Sequence, residues 1–213
     1  FHALILGFVQ GLTEFLPISS SGHLAIVPWL FNWDDFGGNS SLENSFDVAL
    51  HLGTLLGAII YLRSDIARYS KAAFQWVTSR DPLTGDAHTA VFIGVTAIPT
   101  GIIGLIVLSF TKDLGDRIWL VATCLILFGL VLWQVDRKKT TKDVDQLTLR
   151  HAIFLGSMQG LAFQPGVSRS GVTISAFRLL GISRIEAAKL TFLMSLPVIA
   201  GAGLVKIFEV EIP

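Results

Sequence analysis

Long apolar stretches are the feature of this chain that most limits the folds it can adopt. Four of them, at residues 46–62, 90–110, 119–135 and 187–208, come close to the length of about 20 residues that a helix needs to cross a bilayer. Charged residues make up only 15% of the 213 residues, whereas soluble domains carry about 25%. The sequence therefore predicts an all-α, polytopic integral membrane protein.

Charge and cysteine content exclude two classes of function. Basic and acidic residues balance at 16 each, with no basic stripe, so no nucleic-acid partner is expected. Cys124 is the only cysteine and lies in an apolar stretch. It can form neither an internal disulfide nor a thiolate metal site, and we interpret it as a packing residue.

Two further apolar regions are interrupted by polar residues. Residues 4–30 contain Glu14, Pro17 and the polar run 19–23, and residues 152–180 contain the run 164–171. A continuous helix facing lipid could not carry these interruptions, because freed backbone groups and charges are costly in hydrocarbon. Each region is therefore predicted to be a re-entrant hairpin, with a helix going in, a polar non-helical tip and a helix coming back.

The two interrupted regions are copies of each other. Residues 6–22 and 155–171 align without gaps at an offset of 149 residues, with eight identities in 17 positions. The identical pairs are Leu6/Leu155, Gly7/Gly156, Gln10/Gln159, Gly11/Gly160, Leu12/Leu161, Ser19/Ser168, Ser21/Ser170 and Gly22/Gly171. We expect one membrane domain over residues 1–213, with repeat one at about 1–110 (hairpin 4–30) and repeat two at about 118–213 (hairpin 152–180).

Basic residues in the loops predict how the chain is oriented. If residues 46–62 cross from outside to inside, the inner segments carry twelve Lys and Arg and the outer loops two. Three crossings then separate the hairpins, so they enter from opposite sides and the repeats have inverted topology. Their polar tips can meet near the middle of the membrane, as in other membrane folds built from inverted halves.

In the first hairpin, two polar side chains share one helix face. Gln10 and Glu14 are four residues apart, which places them on the same side of a helix. An ionisable residue in an apolar membrane segment is a functional candidate, although Glu14 could also be a carboxylate at a helix end facing the interface.

A serine turn follows in the first hairpin. Ser19, Ser20 and Ser21 precede a new helix and offer hydroxyls and backbone N–H groups to an anion, or simply cap the helix. His23 could act as a nucleophile, a general acid or base, or a proton donor to a leaving group.

Other polar residues are interpreted more simply. His51, inside the stretch 46–62, is expected to pack against a neighbour. Four acidic residues are interpreted as a solvated face of the outer loop: Asp34, Asp35, Glu43 and Asp47.

The second hairpin supplies a cation. Arg169 lies among three hydroxyls, those of Ser168, Ser170 and Thr173, and its planar fork suits phosphate or carboxylate oxygens. Its alternative role is an internal ion pair with Glu14. Together the hairpins predict an anion site with a carboxylate available to a divalent metal, as a phosphate ester or diphosphate requires.

Two sequence motifs resemble a known family. Residues 6–23, LGFVQGLTEFLPISSSGH, and 165–173, PGVSRSGVT, closely resemble the signature motifs of the bacterial undecaprenyl-diphosphate phosphatases, the bacitracin-resistance family. The resemblance implies a multi-pass enzyme of the bacterial inner (plasma) membrane with its active site facing outward. Such an enzyme hydrolyses a prenyl diphosphate lipid, undecaprenyl diphosphate, to undecaprenyl phosphate and phosphate, and so recycles the lipid carrier of cell-wall synthesis.

The resemblance also assigns roles by position. It places Mg²⁺ or Ca²⁺ at Glu14 and Gln10, although Gln10 stands where many members have Glu, which leaves the metal one carboxylate fewer. Phosphate binding is assigned to Ser19, Ser21, Ser168, Arg169, Ser170 and Thr173, and catalysis to His23, Ser20, Glu14 and Arg169. The attacking group is His23, Ser20 or a metal-bound water; His23 is preferred because its basicity needs no partner, whereas Ser20 needs an adjacent base.

Some expectations concern the whole molecule. Family members continue beyond the position of Pro213, so we expect a C-terminally truncated member. The resemblance leaves open whether the protein forms a homodimer. The alternative function is a transporter or flippase for an anionic, phosphorylated lipid, since inverted repeats with broken helices also serve alternating access.

The predicted orientation can be tested by labelling. Cysteines replacing Asn39 and Thr141 in a Cys124→Ala background should react with an impermeant reagent from opposite sides of the membrane, because the basic residues place these loops on different sides. Labelling of both positions from one side would contradict the inverted arrangement.

Overall fold

The computed structural model describes residues 1–35, 37, 40–79, 82–111 and 117–209, and the regular structure in these ranges is entirely helical. The α-helices, in chain order, are α1 (His2–Thr13), α2 (Ser20–Phe31), α3 (Ser40–Tyr61), α4 (Arg63–Ser79), α5 (Gly85–Thr111), α6 (Ile118–Asp136), α7 (Leu149–Gly160), α8 (Arg169–Leu179) and α9 (Arg184–Glu209). Two short 3₁₀ turns lie at Val144–Gln146 and Leu161–Phe163. The predicted all-α class is confirmed.

Three helices are long and apolar enough to cross a membrane on their own. These helices are α5, α6 and α9, and they coincide with the predicted spans 90–110, 119–135 and 187–208. The fourth predicted span, 46–62, lies mostly in α3, which qualifies only together with α4, and the two helices are bent by 75°. The molecule is a polytopic membrane protein, and residues 63–79, expected to be part of an inner loop, form a helix.

Both predicted hairpins have the expected pattern of helix, break and helix. Ser19 Oγ accepts a hydrogen bond from the backbone N–H of Gly22 at 3.3 Å and so caps α2, and Ser168 Oγ does the same for α8 with Gly171 at 3.1 Å. Short oxygen side chains at this position satisfy otherwise unpaired N–H groups of the first turn. The repeated sequence therefore starts its second helix in the same way twice, while insertion from opposite sides stays a prediction.

The second hairpin packs closely against α5. A Cβ atom on Gly156 would collide with the carbonyl oxygen of Thr96 and the ring of Pro99, so only glycine fits here. Thr100 Oγ1 donates to the carbonyl of Gly156 at 2.9 Å, which joins the two helices directly. Small residues spaced by four, here Gly156 and Gly160, commonly allow membrane helices to approach this closely.

The matching glycines of the first hairpin have much more space. A Cβ atom on Gly7 would meet Leu50 at 3.7 Å, and one on Gly11 would meet nothing within 4 Å among the described residues. Phe8 on the same helix is 69% exposed. The same glycine spacing is therefore tightly packed in α7 and loosely packed in α1.

The hydrophobic core is formed mainly by the second half of the chain, together with Phe92 of α5, and includes residues of α8. Its buried residues are Phe92, Leu147, Ala152, Leu155, Ala176, Phe177, Ile182, Ala187, Leu190 and Met194. At the C-terminal end of α8, buried Arg178 donates to the carbonyls of Ile182 at 2.5 Å, Asp136 at 3.2 Å and Lys138. These contacts attach the C-terminal end of α8 to the end of α6 and the segment after it, and because a helix is stiff they also limit where its N-terminal end can lie.

Candidate active site

The two helix breaks meet at the N-terminal end of α8. Ser170 Oγ donates to the carbonyl of Leu16 at 2.9 Å, and Arg169 Nη2 donates to Glu14 Oε1 at 2.6 Å. The partners in these contacts are 154 and 155 residues apart in the chain. The structure therefore brings together the two polar tips that the sequence repeat singles out.

Glu14 is the centre of this cluster. Its Oε1 accepts from Arg169, and its Oε2 accepts from Gln10 Nε2 at 3.0 Å and from Ser20 Oγ at 2.5 Å. The carboxylate is only 6% exposed, and an unpaired buried charge would be strongly destabilising. Three donors compensate it, and one of them, Gln10, is the neighbour expected from the four-residue spacing.

Arg169 has a partner for one side of its guanidinium only. The ion pair with Glu14, the alternative role left open by the sequence, is present. However, Nη1 is buried and has no hydrogen-bond partner among the described residues, and the same is true of Thr173 Oγ1, one turn further along α8. Buried donors are rarely left unpaired, so these two atoms indicate where the oxygens of an anion would bind.

Most of the predicted phosphate-binding serines also have structural roles. Ser19 and Ser168 cap helices, and their Oγ atoms lie 3.3 Å from those of Ser21 and Ser170. Ser19 has a φ of +68°, in the left-handed region that side chains with a Cβ rarely adopt. The tight turn therefore strains the backbone directly before Ser20.

His23 has a defined tautomer. Its Nδ1 lies 2.8 Å from the carbonyl oxygen of Ser19. Because a carbonyl only accepts, the neutral ring carries its proton on Nδ1 and presents a lone pair on Nε2. Ser20 and His23 are three residues apart on α2 and so lie on one face of it. Both side chains are chemically able to attack, and Ser20 has the adjacent base that it needs, in Glu14.

His51 joins the site, although the sequence indicated only a packed side chain. Its Nε2 lies 3.6 Å from Glu14 Oε2, and its Nδ1 lies 2.7 Å from the carbonyl of Asp47. The interpretation of Asp47 as part of the outer loop is wrong, because it is half-buried within α3. The signal that could have found both is their four-residue spacing in an apolar stretch, the pattern that identifies Glu14.

The side chains around Glu14 offer few oxygen ligands to a divalent cation. The described residues contain no group of three or more His, Cys, Asp or Glu side chains that could hold a metal. The Glu14 carboxylate already has protein donors, and the buried Gln10 Oε1, on the side chain that donates to it, has no partner among the described residues. Mg²⁺ and Ca²⁺ take six or more oxygen ligands, so the protein side chains alone do not fit a resident cation here.

Comparison with known proteins gives a consistent result. Residues 3–212 match the family described as bacitracin resistance protein BacA. The chain is 41% identical over 203 residues to an undecaprenyl-diphosphatase of Saccharophagus degradans, which covers 95% of this chain and 74% of the relative. It is 42% identical over 212 residues to an undecaprenyl-diphosphatase of Pelobacter propionicus, which covers 98% of this chain and 75% of the relative.

Proposed function

This chain belongs to the bacitracin resistance protein BacA family, and on that premise we propose that it hydrolyses undecaprenyl diphosphate to undecaprenyl phosphate and inorganic phosphate. It is a membrane enzyme, and its substrate is a prenyl diphosphate lipid. In a bacterium this reaction returns the lipid carrier of cell-wall synthesis to use.

One observation supports this function above the others: Glu14 contacts both Ser20 and Arg169. Phosphoryl transfer needs a nucleophile, an acceptor for its proton and a positive group for the phosphoryl oxygens, and these three side chains supply them. An activated hydroxyl has no role in moving a lipid unchanged. The arrangement therefore favours hydrolysis over the transporter or flippase that the sequence left as an alternative.

In the first step, Ser20 Oγ attacks the terminal phosphorus and its proton passes to Glu14 Oε2, 2.5 Å away. The bond from this phosphorus to the bridging oxygen breaks, and undecaprenyl phosphate leaves with the electron pair. Arg169 Nη1 and Thr173 Oγ1, two buried atoms on α8 without partners among the described residues, donate to the phosphoryl oxygens, where negative charge develops.

In the second step, water attacks the phosphate ester on Ser20. His23 Nε2, whose lone pair is left available by the Nδ1 contact with Ser19, accepts the proton of this water. The bond between phosphorus and Ser20 Oγ breaks as inorganic phosphate leaves, Glu14 returns the first proton to Ser20 Oγ, and His23 releases the proton of the water to solvent. This assignment gives Ser20 and His23 successive roles in place of a choice between them.

We also place the enzyme in the bacterial plasma membrane with this site facing outward. With the orientation predicted by the basic residues, the apolar stretch Ser45–Tyr61 runs from outside to inside. His51, which borders Glu14, lies in the outer half of this stretch. His51 is 32% exposed in its side chain whereas Glu14 is 5% exposed, so the site opens on the α3 side.

A trapping experiment tests the proposed reaction. Substrate labelled in its terminal phosphate and quenched with acid should leave an acid-stable, base-labile label on the protein, as expected of phosphoserine. Ser20→Ala should form no label, and His23→Asn should accumulate it, because the second step loses its base.

Ser109→Ala is the control, because the exposed Ser109 hydroxyl donates to the carbonyl of Ile106 in α5 and has no role assigned at the site. It should label and turn over as the parent does. A parallel quench in base distinguishes the alternative: a label on Ser20→Ala that survives base and is lost in acid would instead identify His23 as the attacking group.

The role of Arg169 can be separated from simple charge compensation. Arg169→Lys keeps a positive charge but loses the planar fork, so kcat/KM should fall about 10²–10³-fold, as when one oxyanion donor is removed. Arg169→Ala, measured beside it, should also lower the thermal stability in detergent, because Glu14 is left buried without its cation. A Lys variant within about threefold of the parent, or about 0.7 kcal/mol, would exclude the phosphate contact.

Dependence on Mg²⁺ or Ca²⁺ is a separate proposal, in which the cation is shared between the protein and the phosphates of the substrate and is not resident in the protein alone; it is tested at Gln10. Gln10→Glu replaces the amide that donates to Glu14 with a second carboxylate. Without divalent cations the two buried like charges should repel and lower the melting temperature, and a cation bound between them should restore it. Sodium at equal ionic strength is the control, and equal responses of variant and parent to Mg²⁺ and Ca²⁺ would contradict a cation at this position.

A further inference from the structure

Helix α4 departs from the direction of α3, the helix before it. A single residue, Leu62, separates α3 from α4, and the two helix axes differ by 75°. If α3 crosses the membrane, as the sequence predicts, this bend turns α4 toward the plane of the membrane surface. Its position is that of the basic, inner side in the predicted orientation.

Ion pairs hold α4 across the beginnings of two other helices. Asp65 Oδ1 lies 2.7 Å from Lys189 Nζ near the start of α9, and Arg68 Nε lies 3.6 Å from Asp86 Oδ2 in the first turn of α5. Arg68 also contacts Asp65 at 3.2 Å. The pairs lie between α4 and the N-terminal parts of α5 and α9, and they neutralise the one acid of α4, Asp65, and Arg68.

The opposite face of α4 is open. No described residue of α4 is buried, and its large apolar side chains Phe74 and Val77 are 71% and 69% exposed. At 100° per residue, Arg63, Ala67, Lys71, Phe74 and Val77 share an arc of about 120°. The exposed face therefore combines an apolar strip with two cations.

These two cations are not compensated within the described part of the chain. Neither Arg63 nor Lys71 forms an ion pair there, and Arg63 donates only to the carbonyl of Ile60, at 3.1 Å. The exposed face also carries no acidic residue. An apolar strip bordered by basic residues is the pattern of helices that lie in a lipid interface, and anionic headgroups complement its charge.

We propose that α4 is an interfacial helix that binds anionic phospholipid on the inner leaflet. Arg63 and Lys71 contact the phosphate-bearing headgroups, and Phe74 and Val77 insert beside the acyl chains. This proposal concerns a surface away from Glu14 and does not depend on the hydrolytic function.

The first test compares lipid binding of two matched variants. Native mass spectrometry of the purified protein in detergent should show tighter binding of phosphatidylglycerol than of phosphatidylcholine. Arg63→Gln combined with Lys71→Gln should weaken phosphatidylglycerol binding about thirtyfold, the effect of two cations near an anionic surface.

The control removes two charges elsewhere on the same side. Lys138→Gln with Lys139→Gln changes two exposed loop residues outside α4 and should leave lipid binding unchanged. Equal losses in both double variants, or a parent that does not distinguish the two lipids, would overturn the proposal.

A second test measures the depth of the helix in the membrane. Spin labels on Phe74→Cys and Gln75→Cys, each with Cys124→Ala, sit on adjacent residues that point in directions about 100° apart. In vesicles containing phosphatidylglycerol, the label at 74 should be accessible to oxygen and the label at 75 to a water-soluble nickel reagent. Two labels in water, or two in hydrocarbon, would contradict an interfacial helix.

Discussion

The ion pair between Glu14 and Arg169 is the interaction on which the arrangement of this molecule depends. A carboxylate and a guanidinium are each expensive to place among apolar helices. The first hairpin supplies the carboxylate of Glu14, and the second supplies the guanidinium of Arg169. Their contact joins α8 to the break between α1 and α2 across 155 residues of sequence. Breaking a buried pair by removing one partner costs about 3–5 kcal/mol. The same contact therefore forms the candidate site and stabilises the association of the two hairpins.

The parts of the fold that follow local rules could be predicted from the sequence. The breaks at Pro17 and at 164–168 appear because polar, helix-breaking residues interrupt apolar stretches, and the contact of Gln10 with Glu14 follows from helical spacing. The meeting of the tips could be inferred because a sequence repeat in a membrane protein implies related halves. These are statements about short segments, or about two copies of one segment.

What the sequence left out depends on contacts between distant segments. Residues 63–79 are too polar to be recognised as a span, and their position beside α5 and α9 depends on ion pairs of Arg68 and Asp65 that the sequence does not reveal. The spacing of His51 and Asp47 could have marked His51 as a candidate, but its contact with Glu14 could not be predicted, because the two residues are 37 positions apart in the chain. The donor role of Ser20 toward Glu14 required the geometry of the strained turn at Ser19.

The unequal packing of the two glycine motifs has a consequence for local stability. Backbone amides of α7 are protected by close contact with α5, whereas α1 meets few atoms beside Gly7 and Gly11 among the described residues. Segments with few packed contacts open at a lower free energy than the core, and their amides exchange with deuterium sooner. The first hairpin, which carries Ser20, therefore opens locally at a lower free energy than the second hairpin, which carries Arg169 on α8. A long lipid could enter by displacing one hairpin while its phosphates meet a cation that hardly moves.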